Sequence, residues 1–120
     1  MSLNGFEDIT GELNDQEKQV ILPILVKHLP NKKGKERAVT SKQIIQGLAN
    51  GGIKTSGPRI RKMINYIRTH HLVPKLIATS KGYYVANTQA EVDEYIESLR
   101  QRENAIRAVR ESFYQETLGL

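Results

Sequence analysis

The 120-residue sequence contains no cysteine, which excludes disulfides and any zinc site built on thiolates. A reducing cytoplasmic setting agrees with that composition. No apolar run approaches the roughly 20 residues that a membrane-spanning helix needs. Residues 1–11 hold acids and no apolar stretch of the kind a secretory signal carries, so none is expected. Also missing are a glycine-rich phosphate loop, a cysteine nucleophile and a recognisable Ser-His-Asp spacing, and no enzymatic activity or cofactor is expected. The most informative absence is of charge of one sign. Residues 37–90 include no Asp or Glu, yet they carry Arg37, Lys42, Lys54, Arg59, Arg61, Lys62, Arg68, Lys75 and Lys81.

With Lys32, Lys33 and Lys35 just upstream, twelve cationic side chains fall between residues 32 and 81 with only Glu36 against them. The net charge of +5 understates this asymmetry, because the thirteen acids sit in the first 36 residues and the last 30. A surface of this kind suits a polyanion, since each neutralised phosphate of a nucleic acid releases condensed counterions. Metal-dependent nucleic-acid hydrolysis would need clustered carboxylates on that surface, and its sequence is acid-free. His70-His71 does not suggest a metal either, because adjacent helical residues point about 100° apart and no acid lies near them in sequence.

Length allows one modest core plus appendages. Residues 1–13 read as a flexible arm. Asn14 and Glu17 form a capping box for a first helix with Val20, Ile21, Ile24, Leu25 and His28 on one face, and Pro23 inside it predicts a kink or a delayed start. The tract from Pro30 to Arg37 reads as a flexible basic loop, with a short extended piece at residues 38 and 39. Lys32-Lys33-Gly34-Lys35 suits phosphate binding and equally resembles a nuclear localisation signal. Thr40 and Gln43 form a second capping box, opening a helix with Ile44, Ile45, Leu48 and Ala49 inward and Asn50-Gly51-Gly52 at its end. A third helix, capped by Thr55 or Ser56 with Pro58 in its first turn, runs to about Thr69. Its core stripe is Ile60, Met63, Ile64 and Ile67. Arg59, Lys62, Asn65, Tyr66 and Thr69 are expected on the opposite face, flanked by Arg61 and Arg68.

Leu72 to Ala78 and Tyr83 to Ala86 predict a β-hairpin turning at Thr79-Ser80-Lys81-Gly82, with the hairpin tyrosines structural. Thr88 and Glu91 open a last helix reaching about residue 117, with Val92, Tyr95, Ile96, Leu99, Ile106, Val109 and Phe113 apolar. Val92 to Leu99 are expected to cover the core. Ile106, Val109 and Phe113 lie too far along the rod for that and are expected to pair with a second copy or another protein.

The fold class expected is therefore mainly α with a small β-hairpin (α+β), in three parts: residues 1–13, 14–87 and 88–120. This order of elements resembles the winged-helix family of DNA-binding domains over about residues 14 to 87. The resemblance is carried by Thr40-Ser41-Lys42-Gln43-Ile44, by Ser56-Gly57-Pro58-Arg59-Ile60-Arg61-Lys62 and above all by Ile77-Ala78-Thr79-Ser80-Lys81-Gly82-Tyr83-Tyr84 as the wing. With its long charged C-terminal helix the chain is similar to small winged-helix proteins encoded by phages and prophages of bacteria.

The resemblance implies a winged helix-turn-helix that binds double-stranded DNA, its third helix in the major groove and its wing on phosphates or in the minor groove. It further implies a transcriptional or replication regulator. Arg59 and Lys62 then suit guanine, Asn65 suits adenine, Thr55 and Ser56 suit phosphates at a helix N-terminus, and Lys81 suits the backbone. Lys32, Lys33, Lys35, Arg37, Lys42, Lys54, Arg61 and Tyr66 complete the residues expected to meet DNA. The turn from Asn50 to Lys54 departs from the compact turn of repressor helix-turn-helix units. A protein-interaction module on the same scaffold, and a binder of single strands or RNA, are the alternatives.

Overall fold

The computed structural model describes residues 11–118. The arm expected over residues 1–13 lies outside the described residues as far as residue 10, and its last residue, Leu13, is a buried core side chain. The chain divides into two compact units, residues 1–87 and 88–120.

The first unit begins with the Asn14–Glu17 capping box, in which Asn14 Oδ1 accepts from Glu17 N at 2.8 Å and Glu17 Oε1 accepts from Asn14 N at 2.9 Å. The next five residues, Glu17–Ile21, form a π-helical turn, followed by α1 (Leu22–His28) and a 3₁₀ turn at Leu29–Asn31. Pro23 accounts for the widened turn: it has no N–H to give residue 19, and its ring would press on that carbonyl in a regular α-helix. The extra width also shifts the buried face. Ile21, Leu22, Leu25 and Leu29 are buried, whereas Val20 is 39% exposed and His28 is exposed. The face expected from a 3.6-residue period (Val20, Ile21, Ile24, Leu25, His28) is thus corrected to one that repeats every four residues from Leu13 through Glu17, Ile21, Leu25 and Leu29.

Helix α2 (Ser41–Asn50) starts at the Thr40–Gln43 capping box, complete in both directions. It ends in a Schellman motif: Gly52 takes the left-handed conformation (φ +82°), Ile53 N donates to Leu48 O and Gly52 N to Ala49 O. Helix α3 (Gly57–Thr69) is capped by Ser56, whose Oγ accepts from Arg59 N. Its stripe Ile60, Met63, Ile64 and Ile67 is 0–1% exposed and is the centre of the core, on which α1 and α2 pack. Four such side chains contribute on the order of 6 to 12 kcal/mol of gross burial energy.

A second Schellman motif closes α3. Leu72 N donates to Ile67 O across a left-handed His71 (φ 57°). With Lys75 also at positive φ (62°), the chain is extended only from Leu76. The strand expected from Leu72 is therefore shortened to β1 (Leu76–Thr79), paired antiparallel with β2 (Gly82–Val85) in the register Leu76↔Val85 to Thr79↔Gly82. Thr79 Oγ1 accepts from Lys81 N and braces the turn.

The second unit is α4 (Gln89–Thr117), capped by Thr88, whose Oγ1 accepts from Glu91 N. At 29 residues it is a rod of about 43 Å. None of its residues is buried, Val92 and Tyr95 being intermediate and Ile96 and Leu99 exposed. No helix among the described residues is long and apolar enough to cross a membrane.

Candidate nucleic-acid interface

The basic tract is built into the sheet. Val85 N donates to Lys32 O at 2.7 Å, Gly34 N donates to Val85 O at 2.9 Å, and Lys33 bridges Val85 in parallel. A 3₁₀ turn at Lys35–Arg37 then brings Val39 back to β2, where it exchanges both backbone hydrogen bonds with Tyr83 at 2.8 and 2.9 Å. The expectation of a flexible loop over residues 30–37 is corrected by these bonds. The extended piece expected at residues 38 and 39 is the Val39 bridge. Lys33, Lys35 and Arg37 are exposed, and Lys32 is half-buried.

Gly82 makes this close packing possible. Its φ is +129°, and a Cβ there would sit 2.7 Å from Val39 O and 3.0 Å from Val39 C, so any side chain would force the tract off β2. Tyr83 and Tyr84 are buried, and the Tyr83 hydroxyl lies 2.8 Å from Ser41 Oγ, tying the first turn of α2 to the hairpin. Exposed Lys42 follows Ser41 directly. The sheet and its surroundings thus position Lys33, Lys35, Arg37, Lys42 and, at the hairpin tip, exposed Lys81.

On α3, Arg61, Asn65 and Thr69 are exposed, while Lys62, Tyr66 and Arg68 are half-buried. Thr69 Oγ1 donates to Asn65 O at 2.9 Å. The Tyr66 ring stacks on His70 with centroids 3.8 Å apart and planes 19° from parallel. His70 Nδ1 donates to Tyr66 O at 2.9 Å, which fixes the imidazole in that position. One face of Tyr66 is therefore already covered.

Arg59 does not belong to the outward face assigned to it from the sequence. Its Nε donates to Glu17 Oε2 at 2.7 Å, its Nη2 reaches Glu17 Oε1, and its Nη1 and Nη2 donate to the carbonyls of Gly11 and Glu12 at 3.2 and 3.0 Å. The Arg59 side chain is 13% exposed and that of Glu17 4%. A cation in the first turn of a helix opposes the helix dipole, and the Glu17 carboxylate offsets that cost. The Arg59 guanidinium in turn holds the Glu17 carboxyl below the ordinary carboxylate range, against the opposing effect of burial, with Asn14 N helping. Arg59 is thus corrected from a reader of guanine to the clamp that holds residues 11–17 on α3.

The same contacts change what the N-terminus of α3 can do. Half-buried Thr55 and Ser56 share a polar cleft with exposed Lys54, but Glu12 and Glu17 line it as well. The cleft has mixed charge, and the Ser56 hydroxyl is engaged as a cap. Glu17 is the important residue missed in the sequence: its capping role was legible three residues from Asn14, whereas its partner lies 42 residues away. Among the described residues no group of three His, Cys, Asp or Glu could hold a metal ion.

On α4, Ile106, Val109 and Phe113 are 69%, 57% and 63% exposed, with Tyr114 beside them at 65%. Glu103 and Arg107 pair at 3.5 Å one turn apart, and Glu97 pairs with Arg100. Compared with models of known families, with curated proteins and with solved structures, the chain matches none.

Proposed function

We propose that this chain is a double-stranded DNA-binding protein of winged-helix type, acting as a regulator of transcription or replication of the phage or prophage kind in a bacterial cytoplasm. One observation carries this: 54 consecutive residues, 37–90, contain no acid, so only carboxylates from outside that segment can neutralise its cations. Glu17 pairs with one of them, Arg59, and its carboxylate also attracts Lys62. Exposed Arg61 and Asn65 on α3 are then the residues offered to base edges, with Arg61 taking the place assigned to Arg59 from sequence and half-buried Lys62 beside them. Lys33, Lys35, Arg37, Lys42 and Lys81 are offered to phosphates, which position a protein without reading sequence. Four to six phosphate contacts per protomer correspond to a log–log salt slope of about −4 to −5 in duplex affinity. Titration of a fluorescent duplex from low to moderate salt tests this, and a flat salt response would remove DNA as the partner.

The exposed stripe Ile106, Val109 and Phe113 supports a second element of the proposal. Contiguous apolar surface of this kind marks interaction sites, and residues near a heptad spacing can pair with a symmetry mate, so α4 is assigned self-association or the capture of another protein. If duplex binding fails, the same stripe favours a protein-interaction module on this scaffold.

A further inference from the structure

Between α1 and α2 lies a cleft of about 330 Å³. Leu25, Leu29, Ile44 and Leu48, all buried core residues, line it, so its floor is apolar. Gly47, midway along α2, contributes to the lining and is exposed, and a Cβ built there meets no atom within 4 Å. Glycine weakens a helix interior relative to alanine. Here no positive φ, no turn and no close neighbour requires it, and the bare backbone leaves that wall of the cleft open. The lining holds no carboxylate, and its ionisable groups are half-buried Lys32 and exposed His28.

We propose that this cleft binds a small organic anion, an apolar aryl or medium-chain alkyl body bearing a carboxylate. The apolar body lies on the leucines and across Gly47, where a side chain would intrude, and the carboxylate faces Lys32 and His28. Size agrees. A cavity of about 150 Å³ accepts a benzene ring, so the space here accommodates an apolar body of roughly two rings, at the small end of ligand pockets. A neutral ligand leaves the Lys32 charge unpaired, and a purely polar one gains nothing from the floor.

The test is fluorescence titration of the intact chain with 1-anilinonaphthalene-8-sulfonate, an apolar organic anion, followed by displacement. Saturable one-to-one binding is expected, displaced by decanoate or 1-naphthoate about tenfold more readily than by decanol. Comparing the two acids separates alkyl from aryl preference. Gly47→Leu, which fills the bare wall, and Lys32→Glu are each expected to weaken the probe by about tenfold or more. Gly47→Ala guards against misfolding: it should raise the unfolding midpoint, because open space admits the methyl group, and still weaken the probe. Absence of saturable binding, equal displacement by decanol, or unchanged affinity in both Gly47 variants would overturn the proposal. A Gly47→Leu protein that keeps probe affinity but changes its self-association would assign the cleft to a protein partner and equally overturn it. The titration contains no DNA, so its failure leaves the DNA-binding proposal standing.

Discussion

Replacing Arg59 with methionine removes the clamp between α3 and residues 11–17 while keeping most of its apolar stem. Four things are lost: two contacts to the Glu17 carboxylate and the donors to the Gly11 and Glu12 carbonyls. Breaking a buried pair from one side costs roughly 3 to 5 kcal/mol, because the remaining charge is left uncompensated. The lower end applies here, since the Arg59 side chain keeps 13% exposure. A loss of about 3 kcal/mol is therefore expected by urea denaturation, and Glu17→Leu should cost a similar amount. The double variant has no orphaned charge and should be no less stable than either single one, a coupling of about 3 kcal/mol. The pair also makes a pH signature. The folded-state carboxyl of Glu17 is held below its ordinary 4.5, so its contribution is complete above that value and is lost as pH falls through the lower folded value. The Glu17→Leu protein should accordingly lose less stability than the unaltered one between neutrality and strong acid. Duplex affinity of Arg59→Met, corrected for folded fraction, should fall by the same factor for every sequence. Single-variant losses that simply add, or a stable Arg59→Met protein that loses preference at one base pair, would refute the clamp.

Asn65→Ala and Arg61→Ala should each cost about 1 to 3 kcal/mol at one base pair of a selected duplex and relax preference there, whereas Lys81→Ala should weaken all duplexes alike; uniform losses from all three would show that none reads bases. Gly82→Ala should destabilise the first unit by about 2 to 3 kcal/mol through positive-φ strain and the clash with Val39, and the Tyr83 amide should lose its protection from hydrogen exchange. The latter is the sharper readout, because an unchanged Tyr83 amide would mean that the tract yields without leaving β2. Sedimentation of the intact chain should show a dimer with a dissociation constant of micromolar order, abolished by Val109→Asp; a monomer at high concentration in both proteins would end the self-pairing proposal.

What was legible in the sequence follows the range of the interactions involved. The three caps are contacts across three residues: Asn14, Thr40 and Thr88 accept from the backbone N–H of Glu17, Gln43 and Glu91, where their spacing predicts. The stripe Ile60, Met63, Ile64 and Ile67 is likewise written in one helix's period, and all four residues are buried. The first helix shows where periodicity fails. Pro23 announced a disturbance, but only the backbone shows that it is a π-turn that rotates Leu22 and Leu29 inward and Val20 and His28 outward. His71 illustrates the same limit in turn chemistry, for a left-handed C′ residue is expected as glycine and here it is histidine, so the sequence pattern starts the strand four residues early. Charge was legible in sum and not in placement. The acid-free stretch is real, but a helical wheel sees one element, and it turns Arg59 outward because Glu17 lies on another. The order of the basic tract is illegible for the same reason, since Lys32, Lys33 and Gly34 are held by a strand some 50 residues later, and that contact needs a glycine at position 82 that the turn alone already explains. Gly82 therefore serves two ends, the hairpin turn and the seat of Val39, and only the second places Lys33, Lys35 and Arg37 beside the hairpin that carries Lys81.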